Sequence, residues 1–156
     1  MSYEPLYTAE EMRTAEAAYP GPTLELMERA GTGVAAEIVR RYPDAARVAV
    51  WCGTGANGGD GLVVAAELAH AGKDCFVRLL GPEEKVAGDA AVMLGRAKKA
   101  GVPFVDEVRP ADLAVDALFG TGFSGSPRPE AARAIGELNA GGAPVVAVDV
   151  PSGVDA

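Results

Sequence analysis

Basic residues, sulfur and aromatic rings are all scarce in this 156-residue sequence, and each scarcity bears on a class of function. Lys and Arg number 14 against 22 Asp and Glu, a formal net charge of -8 with a pI near 4.6. Nucleic-acid binding needs Lys and Arg clustered against phosphates, so this balance argues against it. Two cysteines, Cys52 and Cys75, make neither a disulfide framework nor a metal knuckle. With a single histidine, His70, late on a predicted helix and far from the strand ends, a His-based triad has no support. No apolar run approaches the ~20 residues of a membrane helix. The N-terminus, MSYEPLYTAEEMR, lacks the basic-then-apolar pattern of a secretory signal. These shortages describe a soluble, acidic, cytoplasmic single unit with no membrane and no nucleic-acid partner.

Glycine is plentiful by contrast. Twenty Gly against 6% aromatics favour many tight turns and close backbone approaches. Hydrophobic residues at 49% and charged residues at 23% are globular proportions. Thr8 and Glu11 form a capping-box pattern opening a helix over 8–18, and apolar spacing predicts a second over 23–42. From Arg47 the pattern alternates. RVAVWC reads as a strand buried on both faces; a Gly-rich turn and the helical LVVAAELAHAG follow. DCFVRLLG is a strand, EKVAGDAAVMLGRAKKAG a helix, VPFV and DLAVDALFG short strands, 130–139 a helix and PVVAVDVPSG a last buried strand. Such alternation predicts a three-layer α/β/α sandwich of Rossmann-like type with a mostly parallel sheet. Ligands then lie at the carboxyl ends of the strands.

Three segments follow those ends: GTGANGGDG, DALFGTGFSGS and DVPSG. Gly53, Gly55 and Gly58 match the dinucleotide fingerprint between a strand and a helix, where backbone amides bind phosphate. Two features set it apart from an ordinary dehydrogenase. Asp60 would repel a nearby pyrophosphate, and the second strand ends in Leu80-Gly81-Pro82 without the usual ribose-binding acid. Asp60 either caps the helix or, with Asn57, holds hydroxyls or a cation. Asp116 ends a strand and either closes an Asx-turn or serves the site. The 120–126 segment offers amides and hydroxyls suited to phosphate, or is a mobile connecting loop, a reading that Pro127 and Pro129 favour. Asp149 emerges from an apolar strand, either as a general acid or base or as a carboxylate satisfied by its own turn. Cys52 and Trp51 read as packing residues. Oxygen donors on Asn57, Asp116 and Ser152 suit a monovalent or hard divalent cation.

Taken together, LMERAG (26–31), GTGANGGDG (53–61), VDALFGTG (115–122) and VDVPSGVDA (148–156) resemble the NAD(P)H-hydrate epimerase family, or YjeF N-terminal domain. The motifs span nearly the whole chain, residues 1–156. The resemblance implies an isomerase interconverting the R and S forms of hydrated NADH or NADPH, a potassium ion at the site, and a homodimer. By motif position, Asn57, Asp116 and Ser152 fall on potassium ligands. Ala56, Asn57, Gly58, Gly59 and Asp60 fall on substrate-binding positions, as do Gly120, Thr121, Gly122, Phe123, Ser124, Gly125, Ser126 and Asp149. The chemistry assigns Asp149 the catalytic proton transfer. One departure is Ala56, where the family has a second Asn. The family's domain also continues past the VDVPSGVDA motif through further strands, often into a fused hydrate dehydratase. This implies that 1–156 lacks the C-terminal strands. A non-catalytic nucleotide-binding or partner-binding domain and an ordinary NAD-dependent oxidoreductase are the competing readings.

Overall fold

The central strand of the sheet, Arg47–Cys52 (β1), is buried from its second residue onward because strands and helices cover it on every side. A computed structural model describes residues 5–155. Its elements, in chain order, begin with helices Ala9–Ala17 (α1) and Thr23–Arg41 (α2), then β1 and helix Ala56–His70 (α3). Strand Asp74–Leu79 (β2), a single 3₁₀ turn over Glu83–Lys85 and helix Gly88–Lys99 (α4) come next. Strand Leu113–Ala117 (β3), helix Pro129–Ala140 (α5) and strand Val145–Ala147 (β4) complete it. The four strands pair in parallel in the order β2-β1-β3-β4. Among the described residues no helix is long and apolar enough to cross a membrane.

The two faces of the sheet build separate cores. Val48, Val50 and Cys52 of β1 point toward α2, α3 and α4, where Ile38, Leu62, Leu68 and Met93 complete the larger cluster. Ala49 and Trp51 point the other way, toward Ala134 and Leu138 of α5. This period-two alternation with apolar residues on both sides is what a parallel sheet between helical layers demands. The architecture is the three-layer α/β/α sandwich expected.

Several boundaries differ from the sequence reading. VPFV makes only one bridge, Phe104 to Val77, because Pro103 has no N–H to continue a ladder. The last strand stops at Ala147, since Asp149 turns to φ 70. The ANGG segment, expected as a turn, is instead the first turn of α3, with Gly55 as N-cap. Its glycines serve close packing. A Cβ at position 58 would stand 1.8 Å from the Gly53 carbonyl oxygen, and one at 61 would stand 2.5 Å from Ala117 Cβ. On α2, a Cβ at Gly31 would meet Val63 at 2.3 Å. These contacts press α3 directly onto the ends of β1 and β3.

Gly58→Ala should therefore destabilise the fold by roughly 3 kcal/mol or more in denaturant unfolding, since backbone atoms must move. Gly95, on the exposed side of α4 with nothing within 4 Å, is the control. Gly95→Ala should stabilise by about 0.5–1 kcal/mol. Equal effects at the two positions would contradict this packing account.

Candidate active site

The carboxyl ends of β1, β3 and β4 open onto one cleft of about 690 Å³. Its wall from the first loop is Thr54 to Asn57 with Asp60. Leu118 to Ser124, with Ser126 to Arg128, form the second wall, and Asp149 comes from the third loop. Of the residues singled out from sequence, Ala56, Asn57, Asp60, Gly120, Thr121, Gly122, Phe123, Ser124, Ser126 and Asp149 line the cleft together. Gly58 and Gly59 do not; they are buried in the first turn of α3, against Gly53 and Met27. Gly125 also lies off the lining, its N–H donating to Asp155 Oδ2 at 3.3 Å.

Asp116 and Ser152 stand immediately behind Leu118 and Phe119. The Asp116 carboxylate is buried, and the Ser152 N–H and hydroxyl donate to it at 2.8 and 2.5 Å. The Leu118 N–H donates to it at 3.3 Å, which is the Asx-turn closing the strand. Ser152 Oγ in turn accepts the Phe119 N–H at 3.0 Å. One carboxylate thus ties the loop after β3 to the turn after β4. The 120–126 segment is held by more than its ends. The Phe123 N–H closes a turn onto the Gly120 carbonyl, and the Phe119 and Phe123 rings stack at 5.3 Å.

Asp149 adopts φ 70, the sole positive value outside glycine among the described residues. An L-residue held there costs on the order of 1 kcal/mol, and such residues cluster at functional sites. Its carboxylate is exposed to the cleft and accepts the Thr121 N–H at 2.8 Å, a bond from the second loop and not from its own turn. A Cβ at Gly120 would stand 2.7 Å from Asp149 Oδ2 and 3.4 Å from the Asn57 side chain, so the three loops meet at that glycine.

Asn57 contributes an unusual feature. Both its amide oxygen and its amide nitrogen are buried with no hydrogen-bond partner. Buried polar atoms left unpaired cost ~1–3 kcal/mol each, which marks a place for a ligand. Among the described residues no three His, Cys, Asp or Glu side chains gather as a transition-metal cage. The donors present are an amide, a carboxylate and a hydroxyl, a hard set that fits an oxygen-seeking cation.

Asp60 is the fifth residue of α3 and makes no side-chain cap; Gly55 occupies that position. It therefore lies beyond the first turn, where the helix dipole fades. Burial first, then the charges of Asp149 and Glu16, push its carboxyl up to about 7. The two thiols are inert packing groups: burial raises both, Cys75 to about 12. Trp51 is core, and His70 is exposed at the far end of α3. Sequence reasoning missed Arg128, Phe119 and Glu16. Phe119 lies within the VDALFGTG motif and Arg128 just after the 120–126 segment, whereas Glu16 reaches the cleft from α1 with no local signal.

In the unfolded chain Asp60 ionises at its ordinary value near 4, so folding takes up a proton between about pH 4 and 7. Stability from this group is present at low pH and lost as pH rises through that window. Asp60→Asn should match the parent's thermal midpoint near pH 4 and exceed it above pH 7. The gain, allowing for partial exposure, is on the order of 1–2 kcal/mol. A pH slope unchanged by the substitution would contradict this reading of Asp60.

Comparison with known proteins now places the chain. The family profile described as YjeF-related protein N-terminus matches residues 23–156. A protein of Pyrobaculum aerophilum named bifunctional NAD(P)H-hydrate repair enzyme Nnr is 43% identical over 145 residues, covering 86% of this chain and 29% of that protein. One of Pirellula staleyi named NAD(P)H-hydrate epimerase is 40% identical over 144 residues, covering 85% of this chain and 63% of its own length. The chain thus spans less than two thirds of these relatives. The crystal structure of yeast ynu0 superposes with a TM-score of 0.83 at 29% identity, over 96% of this chain and 72% of the yeast chain. By the extent of the profile match and the agreement of fold and motifs, this chain belongs to the YjeF-related protein N-terminus family.

Proposed function

We propose that this chain is an NAD(P)H-hydrate epimerase domain, an isomerase that interconverts the R and S forms of hydrated NADH or NADPH in the cytoplasm. The observation that carries the reading is Asp149, strained and facing a cleft of about 690 Å³ walled by two glycine-rich loops. A space of that size suits a nucleotide-sized ligand. The names of the relatives at 43% and 40% identity support the choice of substrate. In this reading the protein acts as a homodimer and shares its damaged nucleotides with a hydrate dehydratase.

The damaged ring carries a hydroxyl on a carbon bonded to the ring nitrogen. Asp149 transfers a proton to that hydroxyl oxygen. The C–O bond breaks with both electrons leaving on water, and the nitrogen lone pair stabilises the resulting iminium carbon. Water then adds to the opposite face and returns a proton to Asp149. Atoms and charge balance, and no redox partner enters. The backbone amides of the 120–126 loop and the start of α3 hold the pyrophosphate. The Thr121 N–H keeps the Asp149 carboxyl aimed across the cleft.

Asn57, Asp116 and Ser152 would hold potassium, which fits the unpaired Asn57 amide. Bound there, the ion supplies a fixed positive charge that organises the loops. Oxygen atoms of Asn57, Asp116 and Ser152 would hold it, and it would order the loops without strong Lewis-acid chemistry.

Incubation with R-enriched hydrated NADPH should convert it to the S form faster than the spontaneous rate, followed by chromatography. Asp149→Asn should lower that rate by about 10²–10⁴-fold. No conversion above background would favour a binding domain of the same fold, and full activity in the variant would remove Asp149 from the reaction. Potassium has its own test. The thermal midpoint should rise by a few degrees in potassium over tetramethylammonium, and Asn57→Ala should abolish the difference. Identical midpoints for the parent protein in both salts would exclude a bound ion.

A further inference from the structure

We propose that Asp60, half-buried on helix α3, is a second catalytic residue that handles the proton on the ring face opposite Asp149. The inference rests on the epimerase reading and deepens it by naming the partner that inversion requires.

Inversion at one carbon sets a geometric demand. The hydroxyl leaves from one face of the ring and water adds to the other, with the ring between them. A carboxyl held on one side reaches the departing oxygen and not the arriving one. Asp149 is held in this way, by its backbone at φ 70 and by the Thr121 N–H at 2.8 Å. The adding water therefore needs a second proton acceptor, placed within hydrogen-bond reach in the same cleft.

The lining offers few such groups. Its charged side chains are Glu16, Asp60, Arg128 and Asp149, and it holds no His, Lys, Tyr or Cys. Arg128 does not give up its proton. Glu16 is exposed on α1, a helix that buries none of its residues. Asp60 stands instead on a helix of the core, between Gly59 packed against Met27 and Gly61 packed against Ala117. Asn57 precedes it by one helical turn on the same face. A Cβ at Gly120 would stand 3.4 Å from that Asn57 side chain and 2.7 Å from Asp149 Oδ2. Asp60 thus enters the cleft about one helical turn from the point where the loops meet at Asp149. Among the described residues its carboxyl has no hydrogen-bond partner, and burial with the charges of Asp149 and Glu16 raises it to about 7. Near neutral pH it is populated both with and without its proton, as a group that takes and gives one must be.

In the direction written above, Asp149 transfers a proton to the hydroxyl and the C–O bond breaks onto water. A second water forms the new C–O bond on the opposite face and gives its proton to the Asp60 carboxylate. Water in the cleft carries that proton back to Asp149, so atoms and charge balance over the cycle. In the reverse direction the two carboxyls exchange roles.

The test follows the R- and S-hydrates of NADH separately in water labelled with heavy oxygen, by chromatography and mass spectrometry. The parent protein is compared with Asp60→Asn and Asp149→Asn. The parent should epimerise both hydrates and carry label into both. Asp60→Asn should lower epimerisation at least about 10²-fold, yet exchange label into one epimer with its configuration kept, within about tenfold of parent turnover. Asp149→Asn should do the same with the other epimer. A group needed only for folding or binding would lower exchange and epimerisation together in both epimers. That result, or epimerisation by Asp60→Asn at the parent rate, would overturn the proposal. Asp60→Asn keeps the shape of the side chain, and its thermal midpoint confirms that the variant is folded. If the parent converts neither hydrate above the spontaneous rate, the epimerase reading falls and the proposal with it, an outcome distinct from one confined to the variants.

Discussion

Asp116 is the one charged side chain buried among the described residues, and the site depends on how that charge is satisfied. A carboxylate taken out of water costs several kcal/mol unless hydrogen-bonded, so the chain around it must supply donors in place. Ser152 gives two and Leu118 a third. Because Ser152 also accepts the Phe119 N–H, the loops after β3 and β4 cannot move independently. Thr121 and Asp149 are brought to bonding distance only when both loops are in register. A constraint at the base of the cleft thus becomes geometry at its mouth.

The third partner, the loop after β1, joins by packing. Glycine at 58 and 61 removes the side chains that would hold α3 away from β1 and β3, and α3 starts at Ala56, well before the apolar pattern that begins at Leu62. That early start moves Asp60 off the helix end and into the cleft, beside Asp149 and within the field of Glu16. Close packing and acidity here have one cause. The backbone approach that makes an amide-lined cleft also half-buries the Asp60 carboxyl within reach of the charges of Asp149 and Glu16.

The layered fold was legible because the strands are continuous apolar runs and the helices between them carry caps and stops. The three loops were legible because Gly, Asp and Ser concentrate after strand ends. Other features depend on tertiary context. ANGG has poor helix propensity and reads as a turn, yet packing against Gly53 overrides that preference. PVVAVDVPSG is apolar enough for a long strand, but Asp149 leaves it after three paired residues to reach Thr121. The structure shows the Asx-turn at Asp116, and the same carboxylate also ties to Ser152. Glu16 left no trace in the sequence, because it reaches the cleft from α1 and belongs to none of the loop motifs.

The Asp116 carboxylate holds the loops as one unit, and native-state amide exchange on Asp116→Asn tests that tie. Exchange should be at least about tenfold faster at Leu118, Ser152 and also Thr121, with β1 still protected. Thr121 makes no bond to Asp116, so it can respond only through the coupled loops. Acceleration confined to Leu118 and Ser152, with Thr121 unchanged, would contradict the claim.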